Sequence, residues 1–220
     1  MNNKVIAIVQ ARSSSKRFKN KVLKKVGKYS IVEIIHKRLQ KSKQLNEIVF
    51  AIPKNQKNLN LRNELINKKI TYFLGEENNV LKRYYDCSKK YHYDIVVRIT
   101  ADCPFVDINL LDQMICEFKS LKNIDYYSNI NPSTFPDGLD IEIFKKKSLS
   151  KVYKECHTSF GKEHVTPYFK VNENFKIKNK INNKGDYSNY RITLDTYKDF
   201  KKISRSALFS SFFALLPSPP

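Results

Sequence analysis

The apolar residues of the first half of the chain alternate between two patterns. Short continuous apolar runs predict buried strands at Val5–Val9, Ile48–Ile52, Ile70–Leu74 and Ile95–Ile99. Apolar residues at helical spacing predict helices at Ile31–Leu39, Leu59–Ile66 and Val80–Tyr91, and another after the cap residue Asp107. Continuous apolar strands are typical of parallel sheets covered on both faces, so we expect a three-layer α/β/α nucleotide-binding fold with a mostly parallel, mixed sheet.

The pattern changes after about Lys122, where the predicted elements become shorter. Apolar and polar residues alternate over Asp140–Phe144, which predicts a strand. A further short strand is predicted over Arg191–Leu194, ending at Asp195. We interpret residues of about 124–185 as a late insert that completes the ligand site and is not an independent domain.

A single domain is therefore predicted over residues 1–202, followed by an atypical tail over residues 203–220. The tail contains no Lys and no Asn, although both are frequent before it. It is interpreted as a frayed end, a partner-binding segment or a replacement of the natural end, and the sequence leaves these three open.

The chain is strongly basic, but most of its cations are lysines. Its 220 residues carry a net charge of +20, with 33 Lys, 8 Arg and 21 Asn spread along the whole length. A nucleic-acid-binding protein concentrates Arg and Lys on one face. We interpret the excess as a solvated lysine surface and predict no nucleic-acid partner. A hydrophobic content of 41% argues against disorder.

The spacing of the cysteines and the length of the apolar runs indicate the cellular compartment of the protein. Cys87, Cys103, Cys116 and Cys156 show no CxxC spacing, which favours reduced, buried thiols over a metal or disulfide framework. The chain enters its first strand at Lys4 and has no apolar run of about 18 residues. We therefore expect a cytoplasmic protein with no signal peptide and no membrane partner.

The segment QARSSSKRFKNK, which runs from Gln10 to Lys21, follows the first predicted strand. It carries three hydroxyls and five cations, more positive charge than a solvated turn requires. Ligands bind beyond the carboxyl ends of strands in α/β folds, and Arg suits phosphate through its bidentate geometry. The segment therefore indicates a phosphate site.

Two aspartates end predicted strands far apart in the sequence. Asp102 follows Arg98–Ile99 in RITADCPFVD, and Asp195 lies in RITLDTYKDF. Asp102 has a plain alternative as a salt-bridge partner or helix cap, and Asp195 as a helix N-cap. As a metal ligand, Asp102 suits Mg²⁺, which prefers carboxylate and phosphate oxygens. We predict that the two carboxylates converge on one point.

Five motifs resemble one enzyme family and occur in its order. QARSSSKRFKNKVL resembles the A-R-x-x-S-x-R-x-x-x-K signature of sugar cytidylyltransferases, and it is followed by RITADCPFVD, FPDGLDIEIF, KEHVTPYF and RITLDTYKDF. Over roughly residues 3–200 the chain is similar to the family of spore coat polysaccharide biosynthesis protein F. That family is itself similar to the acylneuraminate and 3-deoxy-manno-octulosonate cytidylyltransferases.

The resemblance implies a nucleotide-diphospho-sugar transferase-like fold with a small inserted dimerisation lobe, and hence a homodimer. It also implies Mg²⁺-dependent transfer of CMP from CTP to a sugar acid with release of pyrophosphate, for cell-surface polysaccharide biosynthesis. The catalytic residues it implies are Arg12, Arg17, Lys21 and Asp102. Those implied for the triphosphate are Ala11, Arg12, Ser15, Arg17 and Lys21, and those for Mg²⁺ are Asp102 and Asp195.

For the sugar, the matching motifs imply Asp140, Glu142, Glu163 and His164. Residues 75–84 resemble the family's segment after its third strand, where related enzymes hold the cytosine, and this implies Asn78 and Arg83 as contacts of the base. Asp140 and Glu142 also fit a solvent-facing sheet edge, and Glu163 and His164 a surface pair. Ser14 stands where the family usually has Gly, and Lys19-Asn20 where it has Pro-Gly. Gly lets backbone amides approach phosphate closely, whereas Asn tolerates positive φ.

Two other functions remain open from the sequence. A nucleotide-sugar-dependent glycosyltransferase shares the nucleotide-binding half but usually has Asp-x-Asp, which Asp102-Cys103-Pro104 lacks. A basic nucleic-acid-binding protein would need no aspartates at the strand ends.

Overall fold

The protein was analysed as a computed structural model, which describes residues 3–15 and 17–205. Its strands are β1 Val5–Gln10, β2 Lys25–Val26, β3 Tyr29–Ser30, β4 Glu47–Pro53, β5 Tyr72–Gly75, β6 Ile95–Thr100, β7 Tyr126–Ser128, β8 Glu142–Lys145 and β9 Ile177–Asn179. Its α-helices are α1 Ile31–Leu39, α2 Leu59–Asn67, α3 Val80–Lys90, α4 Ile108–Ser120, α5 Lys146–Glu155, α6 Ser159–His164, α7 Pro167–Val171 and α8 Tyr197–Ser204. The four apolar runs and the four early helices predicted from the sequence are confirmed, with shifts at their ends.

Seven strands form one mixed sheet in the order β5-β4-β1-β6-β8-β7-β9. The first four of these are parallel, β8 runs antiparallel to both β6 and β7, and β9 is parallel to β7. Because β8 is antiparallel, its first residue lies at the edge where the parallel strands end. The residues before and at the start of β8 are thereby brought to the ligand edge of the sheet.

Helices cover both faces of this sheet, and β1 shows why its sequence is continuously apolar. Val5, Ala7 and Val9 belong to a core shared with α1, α2 and α4. Ile6 and Ile8 point the other way, into a core shared with α3, α5 and α7. A strand buried on both faces requires apolar residues at every position, so the three-layer prediction is confirmed.

The predicted insert extends the main sheet. Residues 124–185 contain β7, β8 and β9 together with α5, α6 and α7. The pairing of β8 with β6 joins them to the first half of the chain, with Arg98 opposite Glu142. The insert therefore completes the same fold, and its predicted role in dimerisation stays a prediction.

The strand predicted at Arg191–Leu194 is wrong. This segment forms only an isolated parallel bridge, between Arg191 and Asp137. Its backbone bonds go to loops, because Ile192 N–H donates to Asp137 C=O at 2.8 Å and Leu194 N–H to Asp102 C=O at 2.8 Å. The segment thus crosses the end of the sheet and does not join it.

Three smaller predictions have mixed outcomes. Asp107 caps α4 as expected, accepting from Leu110 N–H at 3.0 Å. All four cysteines are free, but Cys116 is exposed, so the prediction of uniformly buried thiols is wrong there. Residues 203 and 204 complete α8, and the rest of the atypical tail, 206–220, lies outside the described residues. Within residues 3–15 and 17–205, no helix is long and apolar enough to cross a membrane.

Candidate active site

A cleft of about 920 Å³ opens beyond the carboxyl ends of β1 and β6. It is lined by nearly all of the residues proposed from the sequence, namely Ala11, Arg12, Ser15, Arg17, Lys21, Asp102, Asp140, Glu142, Glu163, His164 and Asp195. Asn78 and Arg83 are not among the residues that line it. The cleft lies where α/β sheets bind their ligands.

The loop after β1 is held by specific contacts. Ser13 anchors it, because its N–H donates to the side-chain oxygen of Asn58 at 2.8 Å and its hydroxyl to Lys57 C=O at 2.9 Å. Asn20 closes the loop by donating its N–H to Ser13 C=O at 3.1 Å. Asn20 has φ 57° and ψ 27°, a left-handed conformation that Asn tolerates better than most residues. The Lys19-Asn20 departure from the family pattern therefore still permits the turn.

The turn at Asn20 directs Lys21 into the cleft. Lys21 begins a short 3₁₀ turn, Lys21–Leu23, and is only 8% exposed. Its Nζ donates to Asp102 Oδ2 at 3.1 Å and to Asp195 Oδ1 at 2.9 Å. Two carboxylates separated by 93 positions in the sequence thus meet at one nitrogen, as the convergence prediction requires.

Contacts outside the ion pairs bring Asp102 and Asp195 together. The Leu194 N–H bond to Asp102 C=O ties the segment before Asp195 to the end of β6. Phe18, in the first loop, packs its ring against Tyr197 and Phe200 of α8 at centroid distances of 6.0 and 5.9 Å. The first loop and the segment carrying Asp195 are therefore fastened on either side of the ion pairs.

Asp195 is not a helix cap. The N-cap of α8 is Thr196, whose hydroxyl accepts from Asp199 N–H while the Asp199 carboxylate accepts from Thr196 N–H. The capping interpretation of Asp195 is therefore wrong. Its carboxylate instead binds Lys21, Arg17 at 3.0 Å and Arg191.

Two carboxyl groups in the cleft have shifted pKa values in opposite directions. Burial alone would raise the pKa of Asp102, but Lys21 and a hydrogen bond from Thr100 outweigh it and lower the pKa below its usual value. Burial, followed by the neighbouring Asp137 and Glu142, raises the pKa of Asp140 to about 6. Asp102 is thus held as an anion, whereas Asp140 can change its charge near neutral pH.

Glu142 does not face solvent, so the solvent-edge interpretation is wrong for this residue. It is 3% exposed, and Arg98 Nη1 donates to its Oε1 at 2.7 Å. Arg98 also donates to the Gln10 side chain at 3.3 Å, so a polar row crosses β1, β6 and β8 beneath the cleft. Both the Nε of Arg98 and the Oε2 of Glu142 are buried without a hydrogen-bond partner in the described part of the chain.

The helices α6 and α7 contribute a second set of side chains to the cleft. Glu163 and His164 are exposed, and the His164 ring contacts the Phe160 ring at 4.5 Å. Lys170 of α7 also lines the cleft. Within the described residues, Glu163, His164 and Lys170 form no ion pair, and their side chains make no hydrogen bond. These groups are available to bind a second molecule.

The structure does not bring the two residues proposed for the cytosine into the cleft. Asn78 is exposed, and it is Asn79 whose side chain caps α3. Arg83 is buried on α3 and donates through Nη1 to Glu76 C=O, and burial lowers its pKa to about 10. Their contact with a base stays a prediction.

Four charged residues of the cleft were missed from the sequence: Arg98, Asp137, Lys170 and Arg191. Arg191 binds Asp137 through Nε at 3.0 Å and Asp195 through Nη2. Arg98, Asp137 and Arg191 stand inside the quoted motifs, so a signal existed for them. Lys170 lies just beyond KEHVTPYF and resembles any other lysine of this chain.

The donor atoms of Asp102 and Asp195 fit one kind of metal ion. No group of three or more His, Cys, Asp or Glu side chains suited to a metal occurs in the described ranges 3–15 and 17–205. Two convergent carboxylates are nevertheless the usual protein share for Mg²⁺, whose other ligands are phosphates and waters. Asp102 and Asp195 can therefore hold Mg²⁺ together with a phosphate ligand, but not alone.

The chain is similar in sequence to known proteins. An uncharacterized protein of Methanocaldococcus jannaschii is 40% identical over 205 residues, covering 90% of this chain and 81% of that protein. Spore coat polysaccharide biosynthesis protein SpsF of Bacillus subtilis is 28% identical over 214 residues, covering 91% of this chain and 85% of that protein.

Solved structures share the fold of this chain. A cytidylyltransferase from Leptospira borgpetersenii superposes with a TM-score of 0.88 at 31% identity, covering 98% of this chain and 89% of that one. A CMP:2-keto-3-deoxy-manno-octonic acid synthetase complexed with CTP has a TM-score of 0.73 at 12% identity, covering 94% and 99%, which shows a shared fold. The sequence profile of the family described as Cytidylyltransferase matches residues 6–211. This chain therefore belongs to the cytidylyltransferase family.

Proposed function

We propose that this chain transfers CMP from CTP to a hydroxyl group of a sugar acid and releases pyrophosphate, in the biosynthesis of a cell-surface polysaccharide. The observation that carries the proposal is the convergence of Lys21, Asp102 and Asp195 in a cleft shared with Arg12 and Arg17. The acceptor and the pathway are supported by two similar proteins, a spore coat polysaccharide biosynthesis protein and a 3-deoxy-manno-octulosonate cytidylyltransferase of Fusobacterium nucleatum that is 27% identical over 124 residues.

The reaction requires little covalent chemistry from the protein. The acceptor oxygen forms a bond to the α-phosphorus of CTP. The bond between the α-phosphorus and the oxygen that bridges it to the β-phosphate breaks, so pyrophosphate leaves, and the proton of the acceptor hydroxyl is released to solvent. Negative charge develops on the pyrophosphate, which Arg12, Arg17 and Lys21 are placed to stabilise. The remaining demand is in-line positioning of the acceptor hydroxyl, which the α6 and α7 side of the cleft can supply.

Mg²⁺ is part of the proposal, with Asp102 and Asp195 as its protein ligands. When bound with CTP, it would neutralise phosphate charge and polarise the reacting phosphoryl group. The protein residues would then hold the triphosphate from the first loop and keep the Asp102 carboxylate ionised. The lowered pKa of Asp102 supports this role, because a protonated carboxyl is a poor metal ligand.

An acidic acceptor is supported by the charges that remain without partners. Among the cations of the cleft, Arg17, Lys21, Arg98 and Arg191 are already in ion pairs. Arg12 and Lys170 form none within the described residues, with Arg12 on the first-loop side and Lys170 on α7. Lys170 is therefore the cation we assign to the carboxylate of the sugar acid, with Asp140, Glu163 and His164 for its hydroxyl groups.

A pyrophosphate-release assay tests the proposal. We expect release only when Mg²⁺, CTP and a cognate sugar acid are all present, with little release from ATP, GTP or UTP. The acceptor panel should include 2-keto-3-deoxy-manno-octonic acid and N-acetylneuraminic acid. The control for each is its neutral analogue, in which the carboxylate is reduced to an alcohol. Equal turnover of UTP with the acceptor would contradict the cytidylyl assignment, and turnover of neutral sugars alone would contradict the acidic acceptor.

We also propose that the protein is a homodimer formed through its second half. Within residues 3–15 and 17–205, most of the exposed large hydrophobic side chains lie there, namely Phe160, Val171, Ile177, Ile181, Tyr187, Tyr190 and Tyr197. Light scattering should give twice the chain mass, and Val171→Glu should give the monomer mass. The control Leu59→Glu, an exposed site on α2, should leave the mass unchanged. A monomeric wild-type protein at assay concentration would contradict this proposal.

A further inference from the structure

Lys21 holds the same two carboxylates that a divalent cation would need. Its Nζ lies 3.1 Å from Asp102 Oδ2 and 2.9 Å from Asp195 Oδ1, and little of its side chain is exposed. A Mg²⁺ ion bound to those oxygens would lie about 2.0–2.1 Å from each. An ammonium and a metal ion cannot both occupy the space between the two carboxylates, so binding of one displaces the other.

The surrounding charges are also balanced without a metal ion. The carboxylates of Asp102, Asp137 and Asp195 are matched by the cations of Lys21, Arg17 and Arg191, and every one of them is in an ion pair. A bare divalent cation would therefore meet three fixed positive charges at short range. A nucleoside triphosphate brings the negative charge that can engage the cations and leave the carboxylates for the metal.

We propose that Lys21 excludes divalent cations from Asp102 and Asp195 until a nucleoside triphosphate binds, so that the metal enters only with the nucleotide. This rests on the proposed function, since it names the role of the triphosphate at that site. Lys21 acts here as a positioning residue. It keeps the two carboxylates together until a triphosphate binds, and its ammonium group then binds the phosphates. The order of binding then prevents a metal ion from blocking the cleft alone.

Manganese binding to the protein without nucleotide tests the proposal directly. Mn²⁺ is the probe, and bound ion is measured by electron paramagnetic resonance or calorimetry. We expect Lys21→Met to bind Mn²⁺ about tenfold or more tightly than the wild type, because a neutral side chain removes the competing charge. Lys19→Met, at an exposed position of the same loop, should bind Mn²⁺ as the wild type does. The double variant Lys21→Met/Asp195→Asn should lose the gain.

Thermal unfolding supplies a second readout if Lys21→Met is less stable. An ion that binds only the folded state raises the unfolding temperature, so Mn²⁺ should raise that of Lys21→Met and leave that of the wild type nearly unchanged. Equal Mn²⁺ affinity and equal thermal response in the two proteins would overturn the proposal. Neither readout needs turnover, so a chain that gains Mn²⁺ binding but does not use CTP would refute the proposed function alone.

Discussion

On the first-loop side of the cleft, Lys21, Arg17, Asp102 and Asp195 are joined by ion pairs of 2.9–3.1 Å. On the α6 and α7 side, Glu163, His164 and Lys170 form no ion pair and no side-chain hydrogen bond within the described chain. We call the first set the nucleotide wall and the second the acceptor wall. Stabilising charge on a leaving pyrophosphate requires groups that are already oriented. Recognising an acceptor instead requires groups whose hydrogen bonds are still to be made.

The difference also shows how each wall is supported. The nucleotide wall is stabilised by a hydrogen bond from Ser13 N–H to the Asn58 side chain and by one from Leu194 N–H to Asp102 C=O. The ring of Phe18 also packs against Phe200 of α8. The acceptor wall consists of two short helices, α6 and α7. A substitution in the nucleotide wall should therefore lower kcat, whereas one in the acceptor wall should mainly raise the KM of the acceptor.

The largest effect is expected at Asp195. Asp195→Asn removes the charge that binds Arg17, Lys21 and Arg191 and would hold Mg²⁺, so kcat should fall about thousandfold with an unchanged circular dichroism spectrum. The matched control is Asp199→Asn in the capping box of α8, which should cost about 1 kcal/mol of unfolding free energy and little activity. Similar kinetics in the two variants would show that Asp195 is only structural.

The next effect is expected at Arg17, the exposed member of the nucleotide wall. Arg17→Ala should lose about 2–4 kcal/mol of transition-state stabilisation, measured as the change in kcat/KM for CTP. Arg17→Lys should recover only part of it, because the guanidinium geometry is lost. Arg62→Ala, at an exposed position on α2, is the control and should be silent. Wild-type kinetics in Arg17→Ala would remove Arg17 from the catalytic set.

The two walls were also unequally predictable from the sequence. The apolar runs predicted β1 and β6, and the polar loops after parallel strands must meet at one edge, so Lys21 and Asp102 were placed correctly. Asp195 was placed correctly but on a wrong element, because the segment before it bonds to loops and not to a strand. Backbone partners of this kind leave no periodic pattern in the sequence.

Side-chain direction on helices limits what the sequence predicts about the other charged residues. Arg83 belongs to the family-like segment 75–84, but the sequence does not indicate that its side chain donates to Glu76 C=O. Lys170 lines the cleft only because α7 presents it there, and the chain has many lysines that differ from it in no local feature. Which charge faces a cleft depends on tertiary packing that a single sequence does not contain.

A smaller effect is expected at Lys170 of the acceptor wall. If Lys170 binds the carboxylate of the sugar acid, Lys170→Gln should raise the acceptor KM about two- to fivefold, the scale of one exposed charge pair, and leave the KM for CTP unchanged. Lys178→Gln, on the exposed face of β9, is the control. A drop in kcat without a change in acceptor KM would place Lys170 with the nucleotide wall. It would contradict the proposed division of roles between the two walls.

The smallest effect concerns Asp140, which lines the cleft near Asp137, Glu142 and Asp102. Burial, Asp137, Glu142 and Asp102 raise its pKa to about 6, while a hydrogen bond from Gly138 N–H opposes them. The folded protein therefore binds a proton that the unfolded chain releases near pH 4. This contribution to stability is present at low pH and is lost as the pH rises through about 6.

Asp140→Asn should remove that dependence. In buffer with a chelator and no nucleotide, the wild type should lose about 1–2 kcal/mol relative to Asp140→Asn between pH 4.5 and 7.5, a value reduced for solvent screening. Urea unfolding at the two pH values measures it, with Asp186→Asn as the control, since Asp186 is fully exposed and its lowered pKa acts in the opposite sense. Parallel stability curves for the wild type and Asp140→Asn would show that Asp140 is charged throughout this range. Asp140 would then resemble Asp102 of the nucleotide wall, whose pKa is lowered.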